Sequence, residues 1–87
     1  MATLHLIFNQ AGLNACLRVR ADNEPAILMG DAVYHHAQTE GLKALHEDCA
    51  LRGVTPAEVL TREALVDLTV AHSPIVSWAI EHGQAGV

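Results

Sequence analysis

Aromatic residues, basic residues and cysteine are all scarce in this chain. Phe8, Tyr34 and Trp78 are the aromatics among 87 residues, so a core has to be built from Leu, Ile, Val and Ala. Arg18, Arg20, Lys43, Arg52 and Arg62 supply all the fixed positive charge, and the net charge is −5. Phosphate backbones require clustered Lys and Arg, so no direct contact with RNA or DNA is expected. Cys16 and Cys49 form neither a CxxC pair nor a zinc set and read as free thiols of a reducing compartment. No apolar run approaches the length of a transmembrane helix, and no membrane partner is expected. Met1-Ala2-Thr3-Leu4-His5 has no basic region ahead of its apolar run, which argues against a signal peptide and for a cytoplasmic protein.

What the chain does contain is short apolar runs that end in acidic turns. Ala26 to Met29 passes into Gly30-Asp31, and Leu42 to Leu45 passes into His46-Glu47-Asp48. A strand that is apolar at consecutive positions is buried on both faces, the mark of a parallel sheet between helices. Asp31 and Asp48 then fall where a strand hands over to a helix, close to free backbone N–H groups and the positive end of the helix dipole. The fold expected is α/β: a small single-domain parallel sheet flanked by helices. About 60–65 % of the unfolded surface can be buried at this length. Two apolar layers and a polar skin strain that limit, so exposed apolar surface is expected to meet another subunit.

Along the chain, Thr3 to Phe8 reads as a strand, and Asn9-Gln10-Ala11-Gly12 as a turn opening a helix from Leu13 to Ala21, with Leu13 and Leu17 at i,i+4 on its apolar face and Cys16 flanking them. Asp22-Asn23-Glu24-Pro25 is a turn before the second strand, and Ala32 to Gln38 a short helix. Thr39-Glu40-Gly41 breaks the chain before the third strand. Glu47 to Leu51 is a helix closed by Arg52 and Gly53, and Glu58 to Leu60 a stub strand. Thr61 caps the longest helix, Arg62 to Ala71, whose Ala64, Leu65, Leu68 and Ala71 keep helical spacing. Ile75 to Ile80 reads as a further turn of helix after Ser73-Pro74. Residues 1–80 form the domain, and 81–87 are expected to be a frayed tail.

Four stretches, in order, resemble the DsrH/TusB family of sulfur-relay proteins. They are Leu4-His5; Cys16-Leu17 followed by Ile27 to Tyr34; Leu45-His46-Glu47-Asp48-Cys49-Ala50-Leu51-Arg52-Gly53; and Val66 to His72 with Trp78 beyond. Two places depart from the pattern: the segment between Tyr34 and Leu42 is short, and the chain continues past Trp78. The resemblance implies a small parallel α/β domain; no cofactor is expected, and His46-Glu47-Asp48-Cys49 offers ligand types in adjacent positions that cannot all face one metal ion. It also implies a heterohexamer with TusC-like and TusD-like sister subunits. Such an assembly passes persulfide sulfur to a downstream carrier, towards 2-thiolation of the tRNA wobble uridine or, in the DsrH branch, in sulfur oxidation. The principal sulfur-accepting cysteine lies in a sister subunit, which leaves this chain a structural and docking role rather than a catalytic one.

Cys16 is the candidate sulfur carrier, because the resemblance matches it to a cysteine of DsrH-type members and Arg20 stands one helical turn away. A small, half-buried helix residue is the competing reading of Cys16, and Cys49 reads as core. Asp31, Tyr34 and Trp78 are candidate interface residues. His5 reads as a core or interface histidine with its ring N–H bonded to backbone. His35-His36 reads as a solvated surface pair, and His72 as a helix end. From an unrelated class, the alternative is a stand-alone homodimer that binds a small ligand at the acidic edge of its sheet.

Overall fold

The computed structural model describes residues 2–38 and 42–80. Those residues form five parallel strands, three α-helices and one 3₁₀ segment. Strand β1 is Leu4–Ile7, and helix α1 is Gln10–Val19. Strand β2, Ala26–Leu28, leads into the 3₁₀ segment Gly30–Gln38. Strand β3 is Lys43–Leu45, α2 is His46–Arg52, β4 is Val59–Leu60, α3 is Arg62–Ala71 and β5 is Ile75–Trp78. Spatial order is β4-β3-β2-β1-β5. The chain steps outward three times from β1, and α3 then brings it back to the free side of β1. Right-handed crossovers require that reversal to change sides of the sheet.

The core divides accordingly. Ile7, Ala26, Leu28 and Ala44 point to one face, where Leu13 and Cys16 of α1, Ala32 and Val33 of the 3₁₀ segment and Cys49 of α2 close over them. Leu4, Ile27 and Leu60 point to the other face, which α3 covers with Ala64, Leu65 and Leu68. None of the residues of α3 is fully buried. The second layer is the thinner one.

Three expectations change. Helix α1 begins at Gln10 instead of Leu13, because the side chain of Asn9 accepts from the Gly12 N–H and caps it. Leu17, expected on the buried stripe, is 48 % exposed, because α1 turns Gly12, Leu13 and Cys16 inward. Ile75 to Trp78 is a strand and not a further turn of helix. The Leu4 N–H donates to the Pro74 carbonyl at 3.0 Å and the Phe8 N–H to the Trp78 carbonyl at 2.9 Å. β-Branched Ile75 and Val76 suit that extended pairing.

The caps expected for the later helices are present. Gly53 closes α2 at φ 66°, and Thr61 accepts from the Ala64 N–H at the start of α3. The stub strand near Leu60 is β4. The expected break at residues 39–41 and the frayed tail at 81–87 lie outside the described residues. No helix among the described residues is long and apolar enough to cross a membrane.

Candidate functional site

The carboxyl-terminal edge of the sheet, where open α/β folds usually bind ligands, gathers the acidic residues noted in the sequence. Gly30 turns the chain at φ 55°, and its N–H donates to Asp48 Oδ2 at 2.7 Å. Arg52 Nε donates to Asp31 Oδ1 at 3.0 Å, and its Nη1 to the Asp48 carbonyl at 3.3 Å. Arg62 Nη2 pairs with Glu47 Oε2 at 2.6 Å. Each carboxylate of this edge is thus held by an arginine or a backbone N–H. The arrangement clasps β2 to α2 and ties the start of α3 to it. Among the described residues, no cluster of His, Cys, Asp and Glu could hold a metal ion.

Strand order reverses between β5 and β1, and α1 begins in the crevice there. Asn9 fills its mouth: Oδ1 accepts from Gly12, and Nδ2 donates to the Ile80 carbonyl at 2.7 Å. An open groove of about 400 Å³ remains between Gln10, Asn14, Arg18 and Ile80.

Cys16 lies fully buried beneath α1. Burial pushes its thiol above the ordinary value of 9.0, the Arg20 charge pulls the other way, and the Glu24 charge adds to the rise. A persulfide carrier needs an accessible thiolate, and this cysteine offers neither the access nor the charge. Cys49 is buried as well, with its thiol raised by burial and by Asp48 against the opposing pull of Arg52.

His5 is a core histidine, with partners other than the backbone expected for it. The Trp78 Nε1–H can only donate, and it reaches His5 Nδ1 at 2.9 Å. The ring proton is therefore on Nε2 and points at Glu24 Oε1, 2.9 Å away. The two rings stack with centroids 6.0 Å apart. This relay joins β5, β1 and the turn before β2, so Trp78 anchors the core of this chain.

Asp31 and Tyr34, the other interface candidates, are both exposed; Asp31 is engaged by Arg52, and Tyr34 is 54 % accessible. His35 and His36, expected as a solvated surface pair, are half-buried, with His35 at a kink in the 3₁₀ segment.

Two features escaped the sequence reading. Glu24 was legible only as a turn residue, since nothing local ties it to a histidine 19 positions away. Val66 and Val70 stand one turn apart on the solvent side of α3, opposite Leu65 and Leu68. Apolar spacing on both sides of one helix was the available signal for the second. No family model matches the chain, and no curated protein matches it.

Proposed function

We propose that the protein is a docking subunit of a TusBCD-like sulfur-relay complex, a cytoplasmic hetero-oligomer that moves persulfide sulfur towards tRNA 2-thiolation. The observation that carries this reading is apolar surface left open in a single copy. Leu51 is 82 % exposed and Val70 80 %, and Val19, Val66 and Tyr34 are each more than half exposed. A sheet covered unevenly in this way supports an assembly in which other subunits complete the layers. The parallel α/β architecture fits the family resemblance of the four sequence stretches. Burial of Cys16 counts against a carrier role, so sulfur transfer is assigned to a TusD-like sister and positioning to this chain. The engaged carboxylates of the sheet edge count against a stand-alone ligand-binding homodimer.

Co-expression with TusC-like and TusD-like sisters tests the proposal. One complex of defined mass should elute in size-exclusion chromatography with light scattering. A chain that remains a well-behaved monomer in the presence of both sisters would refute it.

A further inference from the structure

Of the surfaces left open, the outer side of α3 is the one whose chemistry specifies an occupant. Ala64, Leu65 and Leu68 face the sheet. The opposite side presents Val66 at 52 % and Val70 at 80 % exposure, with the exposed acids Glu63 and Asp67 beside them. Valine is a poor helix former, and facing water it adds nothing to the core. On the sheet face beneath α3, Ile75 is 45 % exposed on the edge strand β5, and Leu6 and Met29 are half-buried. Neither Glu63 nor Asp67 has an ion-pair partner among the described residues.

Charge selects the occupant. A second copy docked about a two-fold axis would set Glu63 and Asp67 of each chain against the same pair of the other. The cations needed to offset four carboxylates are committed elsewhere, Arg62 to Glu47 and Arg52 to Asp31. Arg20 is bound to the Glu24 carbonyl. Arg18 lies on α1, and Lys43, in register with Ile27 on the α3 side of the sheet, brings one charge per copy against two carboxylates. Nucleic acid and anionic lipid are repelled by the same carboxylates. A segment with apolar side chains flanked by Lys or Arg satisfies both the valines and the acids.

We propose that the outer face of α3 is a docking surface for a basic amphipathic helix of a partner protein, laid along Val66 and Val70 with its cations on Glu63 and Asp67. This rests on the docking reading above and specifies the chemistry of the partner. At ten residues, α3 offers about 15 Å of length, so the contact amounts to about three turns of partner helix.

The probe is an amphipathic Leu/Lys helical peptide of roughly 18 residues, about five turns long. A Leu/Glu peptide with the same apolar face serves as its control. Each is titrated into the isotopically labelled full chain and followed by amide chemical shifts. The Leu/Lys peptide should move the amides of α3 and Ile75, while the Leu/Glu peptide should not. Val66→Ser with Val70→Ser, and separately Glu63→Lys with Asp67→Lys, should each weaken Leu/Lys binding by about tenfold or more. The charge-reversed variant should gain affinity for Leu/Glu. All four side chains are exposed, and unchanged spectra away from α3 will show that the variants fold. The proposal is overturned by absence of Leu/Lys binding, by equal binding of both peptides, by shifts centred away from α3 and Ile75, or by self-association through α3. Sister subunits that co-purify equally well with the charge-reversed variant would also overturn it while leaving the docking reading intact. A wild-type chain that binds Leu/Lys along α3 yet joins no complex would sink the docking reading alone.

Discussion

At the scale of single residues, the His5 relay makes acid stability depend on one carboxylate. Glu24 Oε1 accepts from His5 Nε2 at 2.9 Å and from the Ala21 N–H at 2.9 Å. Those bonds, the histidine's first, hold its carboxyl below the ordinary glutamate value of 4.5. Because the folded value is the depressed one, the stabilisation is complete above the unfolded value and disappears as pH falls through the folded value. Glu24→Gln keeps an acceptor oxygen for both donors but has no charge to lose. Urea midpoints should therefore favour the wild type at neutral pH, and the two proteins should converge in acid. A gap that persists below the folded value would place the effect elsewhere. The structure also explains why a histidine can sit in this core: both ring nitrogens are satisfied, and so is the indole that stacks on it.

At the scale of elements, the spacing of α1 from β5 is set by a missing side chain. A Cβ on Gly12 would lie 2.7 Å from the carbonyl carbon of Trp78 and 3.0 Å from its Cβ, so helix and strand would have to separate. Overpacking of this kind costs about 1–3 kcal/mol, against a gain of at most about 1 kcal/mol from replacing glycine in a helix. Gly12→Ala should therefore lower stability by roughly 1–2 kcal/mol, read as a lower denaturant midpoint at unchanged slope. A stabilised variant would mean that the two elements are not in contact. Elements whose ends are fixed locally were legible in the sequence: Thr61 and Gly53 set their helix ends by their own chemistry. The apolar runs of β1, β2 and β3 were legible for the same reason. Asn9 was passed over as a turn residue because capping and turn formation share its chemistry. β5 was misread because its conformation depends on hydrogen bonds to β1, some seventy residues away, which no local pattern records. The acidic edge was legible as a position and not as a clasp, since the arginines that hold it come from other elements.

Over the whole molecule, the two layers differ in how firmly they are held. Leu13, Cys16, Val33 and Cys49 are buried over one face, whereas α3 rests on the other through residues that are all partly exposed. Parallel layering followed from doubly buried strands, but the unequal thickness did not, because it depends on strand order. Segments with few buried contacts open below the global unfolding free energy. Native-state hydrogen exchange should therefore find the amides of Val66 to Ala71 exchanging about a hundredfold faster than those of Leu6 and Ile7. That ratio corresponds to roughly 2.8 kcal/mol at about 1.4 kcal/mol per factor of ten. A partner seated on α3 binds only the closed helix, so saturating Leu/Lys peptide should slow those amides and leave the central strands unchanged. Equal protection of α3 and β1 in the free chain would mean that the thin layer is no weaker than the thick one. The helix would then not be held in reserve for a partner, because the sheet alone would already fix it.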